Sequence, residues 1–306
     1  MTAMGRWAKS SFGAERFAEI GLVVTGTNAP EVQDEILRFF DKVLFKKDLV
    51  YHPCLAEKGG VHYPIVFNVY GAPAMVDVMT EMHDGGGRVL LFVGYAYGGF
   101  KNLPVGSVVL PEKSYHFDGI YHGIHVDKEA GYPDKELQQK LSEVCRKENI
   151  SFVHGTNISV PAVSFQLPHD NEFYRKLQPS TCEMELAAFY SRARELGIRG
   201  AAALVISDNR TVSIGDGEKR VMCYEGKKKV LKAIIDNLLS FALPPLKAEK
   251  EFTLDEHFAS ILHDPHDEKN VDRDNGGSGA SCCWFVFLSP SIELYATTKN
   301  EAVTSF

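Results

Sequence analysis

The chain is poor in the features that mark the specialised protein classes. Six cysteines are scattered over 306 residues, and no two are spaced as Cys-x-x-Cys. That excludes a disulfide scaffold and reads as free thiols in a reducing compartment. No apolar run approaches the about 18 residues that a membrane helix needs. Residues 1–17 mix Arg6, Lys9, Glu15 and Arg16 with no apolar stretch, so they read as an N-terminal arm and not as a secretory signal. An excess of basic charge is also missing. The 33 Lys and Arg face 40 Asp and Glu, a net −7, which gives no overall pull toward nucleic acid or an anionic membrane. Internal repeats are absent. The expectation left standing is a cytoplasmic globular protein.

What the chain does have is enough apolar material for one large core. The hydrophobic fraction is 44% and the charged fraction 24%, both usual for a folded domain. A core of that size needs neither disulfides nor a metal to hold it. Short β-branched runs alternate with amphipathic stretches. Strands are expected at 20–25, 65–69, 88–93, 107–110, 151–154 and 201–206. Helices are expected at 31–43, 73–83, 135–148, 183–196 and 225–241, the last stopped by Pro244 and Pro245. Strands separated by helices of this length predict an α/β fold: a single domain with a mixed, partly closed central sheet flanked by helices.

The domain boundaries follow the composition. An α/β domain is expected over 18–245, and a C-terminal extension over 246–306. Within the extension, 263–281 is polar with a Gly/Ser centre and reads as a flexible linker. His263, Asp264, His266, Asp267 and Glu268 are metal-ligand residue types, but in such a linker they read as solvated, and no metal is expected. His116, His122 and His125 form a looser group expected in a surface loop. Lys227, Lys228 and Lys229 read as the solvated face of a helix.

In sheets of this kind ligands bind beyond the carboxyl ends of the strands. Four segments stand at such ends or open the helices that follow. They are Thr25-Gly26-Thr27, the run from Val93 through Gly94 and Tyr95 to Gly99, Glu183-Met184-Glu185, and Ile206-Ser207-Asp208. Taken singly, each has an ordinary explanation. A Glu in a first helical turn favours the helix dipole, and an Asp just past a strand is a common turn residue.

In this order and spacing the four segments resemble the nucleoside phosphorylase and nucleosidase family. The resemblance covers roughly 18–245. It implies a nucleoside substrate, with purine favoured, no cofactor beyond phosphate as a possible co-substrate, and a homo-oligomer, dimer or hexamer. By resemblance, Glu185 grips the ribose hydroxyls, Met184 lies against the sugar, and Asp208 is the general acid at the purine N7. Such an acid needs a raised pKa, which burial at a strand end supplies. Glu183, Gly94, Tyr95 and Ser207 complete the implied substrate site, and Phe165 and Gln166 follow the strand where the family stacks and reads the base.

The departures from the family pattern lie on the nucleophile side. Phosphorolytic members bind phosphate with the glycine after the first strand, with arginines, and with a Ser or Thr. Gly26 is present, but residues 27–31 hold no arginine. Phe92 stands at the second arginine position and Tyr95 at the Ser/Thr position. Each lost charge-assisted contact is worth roughly 1.5–3 kcal/mol. Arg88 does not replace them, because it begins the strand whose far end carries Val93. Lys58 is an available cation. Three readings follow: a nucleosidase using water, with Glu31 as candidate base; a phosphorylase with a rebuilt anion site; and an inactive nucleoside-binding or storage protein of the same fold. The first is slightly preferred.

Overall fold

The computed structural model describes residues 5–121, 129–165, 172–213 and 217–248, all within one compact unit. Helix α1 (Arg6–Phe12) comes first, then β1 (Ile20–Thr25), α2 (Pro30–Leu37), β2 (Lys42–Lys46), β3 (His52–Lys58), β4 (Val61–Val69), α3 (Gly71–Asp84) and β5 (Val89–Tyr97). There follow β6 (Val108–His116), β7 (Ala130–Gly131), α4 (Lys135–Lys147), β8 (Phe152–Ser159), α5 (Glu172–Leu177), β9 (Thr181–Glu183), α6 (Leu186–Glu195), β10 (Arg199–Asp208) and α7 (Gly217–Asp236).

Five strands close on one another. β10 pairs with β6, β6 with β8, β8 with β9, β9 with β5, and β5 with β10. From β5 the sheet continues outward through β1, β4, β3 and β2. The partly closed mixed sheet expected from the sequence is therefore a five-stranded barrel with a four-stranded wing.

The central strands are apolar throughout because both their faces are covered. Along β1, β5 and β10 the residues alternate between two cores. Leu22, Leu91, Val93, Ala203 and Val205 face Leu137 and Leu141 of α4 and Val230, Leu231 and Ile234 of α7. Val23, Leu90, Phe92, Ala202 and Leu204 face Met75 and Met79 of α3 and Phe189 of α6. Phe12 of α1 joins this second core, so residues 6–12 pack on the domain body.

Three expectations need correction. The helix expected over 31–43 ends at Leu37, and the chain turns into β2, an exposed edge strand paired with β3. Edge strands need no apolar alternation, which is why 42–58 carries little strand signal. The helix expected from Glu183 begins at Leu186, and Glu183 instead ends β9. The last helix begins eight residues before 225 and ends at Asp236, with a 3₁₀ turn over Leu238–Phe241. Among the described residues no helix is long and apolar enough to cross a membrane.

Candidate active site

The site is built where β5, β9 and β10 end together. Tyr97 of β5 pairs with Cys182 of β9 on one side and with Asp208 of β10 on the other. Two strand spacings, about 10 Å, therefore separate Cys182 from Asp208 across the barrel rim. Asp208 and the Glu183-Met184-Glu185 segment flank that gap.

Glu183 is buried and occupied. Its Oε1 accepts from Asn157 Nδ2 at 2.7 Å and Ser159 Oγ at 2.5 Å. Its Oε2 accepts from the backbone N–H groups of Glu185 at 2.6 Å and Leu186 at 2.7 Å. The latter two are orphan donors at the start of α6, so the carboxylate both caps the helix and meets its dipole. All four acceptor positions of a carboxylate are thus filled by protein. This corrects the expectation that Glu183 touches substrate: it fixes the backbone from which Glu185 projects.

Glu185 is also buried, with 4% of its surface exposed, and its carboxyl meets the Glu183 side chain and the Met184 backbone. Its Oε1 accepts from Gly71 N–H at 2.6 Å. Gly71 sits at φ 81°, a conformation open to glycine and costly for other residues, and this aims its N–H across the sheet. Burial pushes the Glu185 carboxyl well above the ordinary range, and the charge of Glu183 pushes it further. Met184 lies between the two carboxylates in sequence and is buried with Tyr97, Ile158 and Cys182 in a small cluster at the rim.

Asp208 is half-buried at the end of β10. Its Oδ1 accepts from Ser207 Oγ at 2.6 Å. Burial raises its pKa, and the Ser207 hydroxyl opposes that shift. The next residue, Asn209, accepts from the N–H groups of Thr211 and Val212 and fixes the turn beyond the strand.

The corner at Gly26 is built differently. Gly26 takes φ 66°, and a Cβ placed on it would lie 2.8 Å from the Tyr95 ring. Gly94 is equally constrained: a Cβ there would meet Thr25 Oγ1 at 2.5 Å and the Phe92 ring at 2.7 Å. Phe92 itself faces the second core and packs on Phe189 at 5.4 Å between ring centroids.

The cation in this corner is Lys227 of α7. It is 1% exposed, which corrects the reading of 227–229 as a solvated face. Its Nζ donates to the Thr25 carbonyl and to Thr27 Oγ1, and stands 4.0 Å from the centroid of the Tyr95 ring. Burial pulls its pKa down to about 7, while Cys223 and Glu185 push it back up.

Other expected site residues lie elsewhere. Glu31 is exposed in the first turn of α2, on a helix that Pro30 starts, and so does not join the buried groups of the corner. Phe165 is 64% exposed in a short 3₁₀ turn, and Gln166 lies outside the described residues. Lys58 is tied to the Phe39 carbonyl and to Asp236, at the end of the sheet away from Gly26. Arg88 donates to the carbonyls of His83 and Gly87 below the start of β5, as its position in the chain implied.

His116 is not a surface-loop residue: it ends β6, buried between Asp118 at 3.1 Å and Ser191 at 2.7 Å. His122, His125 and the His263–Glu268 group lie outside the described residues, as does 263–281. Among the described residues no group of three or more His, Cys, Asp or Glu is placed to hold a metal ion.

A barrel rim carrying two buried glutamates and a half-buried aspartate, with a glycine turn at the end of the neighbouring strand, defines a class. The chain belongs to the phosphorylase superfamily, whose family model matches residues 23–240. Its fold is similar to that of purine nucleoside phosphorylase from Toxoplasma gondii, solved with immucillin-H. That match has 17% identity and a TM-score of 0.61, and covers 72% of this chain and 92% of the other. The 5'-methylthioadenosine/S-adenosyl homocysteine nucleosidase from Campylobacter jejuni matches at 15% identity and a TM-score of 0.59, covering 72% and 98%. The corresponding nucleosidase from Neisseria meningitidis, solved with methylthio-immucillin-A, matches at 18% identity and 0.58, covering 72% and 100%.

Proposed function

We propose that this protein cleaves the N-glycosidic bond of a nucleoside, with purines favoured and water preferred over phosphate as the acceptor. The observation that carries this reading is the pair of unlike acids across the rim. Glu185 is held rigidly by Gly71 N–H and by the backbone that Glu183 fixes. Asp208 is kept toward its protonated form by burial.

Cleavage builds positive charge on the sugar and negative charge on the departing base. Glu185 receives hydrogen bonds from the vicinal sugar hydroxyls, and those new donors favour its ionised form as positive charge grows beside it. Asp208 gives its proton to the base nitrogen, so the base leaves neutral. Both interactions strengthen toward the transition state, which is what accelerates a reaction. Gly94 lets the turn pack closely on Thr25 and Phe92, and Met184 supplies an apolar wall beside Glu185.

The protein is read as a homo-oligomer. Val50 and Tyr70, 86% and 62% exposed, are large apolar side chains suited to a subunit contact, and Tyr70 immediately precedes Gly71. Light scattering on the purified protein tests this.

The deciding experiment incubates the protein with inosine, adenosine, guanosine, uridine and methylthioadenosine, with and without phosphate, and identifies the sugar product by mass. Free ribose or methylthioribose without phosphate supports the reading. A sugar 1-phosphate formed only with phosphate overturns the choice of water. The second reading, an inactive nucleoside-binding protein, draws on the Tyr95 ring and the Lys227 ammonium in the nucleophile corner. It predicts silence on every substrate with nucleoside binding retained.

A further inference from the structure

Lys227 is the least expected group in the molecule. It lies in a run of three lysines, yet it shares the buried stripe of α7 with Cys223, Val230, Leu231 and Ile234, at helical spacings −4, +3, +4 and +7. Lys228 and Lys229, by contrast, reach surface partners, Glu35 and the Asn149 carbonyl. A lysine is rarely buried without a specific set of partners. Here the set is complete. An ammonium has three N–H directions, and Lys227 faces the Thr25 carbonyl, Thr27 Oγ1 and the Tyr95 ring.

Those three partners enclose the Gly26 turn. Thr25 and Thr27 bracket it, and the Tyr95 ring stands where a Cβ on Gly26 would fall. A phosphate seated in this turn would need donors aimed at it. The Lys227 donors are instead directed at protein acceptors, and an aromatic face covers the remaining side. The Thr25 carbonyl also presents an acceptor to the corner, which an anion would meet with repulsion. Arg220, exposed about two turns earlier on α7, is a cation whose charge is felt at Tyr95.

We propose that Lys227 and Tyr95 form a built-in plug of the nucleophile corner, a specificity device that excludes inorganic phosphate and leaves only water-sized acceptors. The ammonium substitutes internally for the charge a phosphate site would present, and the ring takes the volume. This rests on the glycosidic-cleavage reading of the same rim, but its test does not require turnover.

The test is equilibrium dialysis of the purified full-length protein against radiolabelled inorganic phosphate. The wild type is expected to retain none above background. Tyr95→Ser removes the ring and releases one Lys227 donor, so saturable phosphate binding is expected to appear. Lys227→Met added to Tyr95→Ser is expected to weaken that binding by about ten- to a hundredfold, the worth of one charge-assisted contact. Arg220→Ala in the Tyr95→Ser background is expected to leave it in place.

Wild-type binding that Lys227→Met abolishes overturns the plug and makes Lys227 a phosphate ligand. A folded Tyr95→Ser that binds no phosphate overturns it as well. Should Tyr95→Ser fail to fold, Tyr95→Val removes the ring while keeping a strand-forming residue and is read in the same way. Phosphate exclusion in a protein that cleaves no nucleoside would keep the plug and reject the activity.

Discussion

The two halves of the rim treat buried charge in opposite ways. On the β9–β10 side, acids are held ready: Glu183 accepts from four donors and fixes the backbone from which Glu185 projects, and Glu185 accepts from Gly71 N–H while burial and the Glu183 charge keep it toward its protonated form. On the β1–β5 side, a cation is used up: Lys227 is spent on Thr25, Thr27 and Tyr95. One half keeps groups free to meet a ligand, and the other satisfies its groups internally. Gripping the sugar and protonating the base therefore fall to other residues than choosing the nucleophile, although the Glu185 charge is felt at Lys227. A chain can keep the first pair of tasks while rebuilding the corner that does the third.

The largest expected effect breaks the first half. Glu185→Gln keeps the shape and removes the carboxylate that the bound sugar hydroxyls call up, so kcat/KM is expected to fall by about a thousandfold, the scale of losing a preorganised electrostatic contact. Stability should change little, because burial and Glu183 already hold the Glu185 carboxyl toward its neutral form, which the amide resembles. Glu183→Gln should act the other way. It puts an amide NH₂ against donors, and urea unfolding is expected to show a loss of about 3 kcal/mol. Equal stability losses in the two variants would erase the distinction between placed and placing carboxylates.

Asp208→Asn comes next. An amide cannot give up the proton, so a purine nucleoside is expected to be cleaved about a hundredfold more slowly or worse. The pH profile carries the sharper test. Burial holds the Asp208 pKa above the ordinary 3.8, and the acid form is the active one. Activity should therefore fall as pH rises through that raised pKa, and Asp208→Asn should remove this limb. A limb that survives the substitution would assign the proton to another group.

How much of this was readable in the chain divides along the same line. The α/β class, most of the strands and the Glu-Met-Glu and Ser-Asp segments were legible because each carries a local pattern. Barrel closure was not. It runs through β9, three residues whose last, Glu183, heads what reads as a helix, and through the single Tyr97–Cys182 pairing. The Gly71 contact to Glu185 spans 114 positions and leaves no local trace. Lys227 was legible in principle. Its spacing from Val230, Leu231 and Ile234 marks the buried stripe, but the flanking lysines make the segment read as polar. Glu31 misled for the converse reason: its distance along the chain from Gly26 is short, but α2 begins at Pro30 and turns it outward.

The second half of the comparison is sharpened by stability against pH. The ordinary lysine value is 10.5, and burial pulls Lys227 to about 7. Between those values the unfolded chain holds the proton and the folded chain has released it. The unfolded state therefore binds more protons, and stability rises with pH across that window. Below about pH 7 both states are charged, and the cost of burying the cation is carried in full. Urea unfolding near neutral pH and near pH 9 should show this rise in the wild type, with Cys223 and Glu185 as the titratable neighbours that share the corner. Lys227→Met should flatten it. An unchanged slope would mean that Lys227 keeps its proton throughout, held by the Thr25 carbonyl and the Tyr95 face.

The smallest expected effect concerns Glu31. It is an exposed residue in the first turn of α2, where a negative charge meets the positive end of the helix. Glu31→Ala should lower stability by about 0.5 kcal/mol at most, the scale of a surface charge at a helix start, and should leave kcat and KM unchanged. A large fall in kcat would place a base at the corner despite the plug. Water would then be activated from the α2 side, and the corner would have to be open in the working enzyme. Retained activity together with phosphate exclusion would mean that the nucleophile needs no dedicated base. Most of the barrier would then be removed by Asp208 and Glu185, on the half of the rim that keeps its groups free.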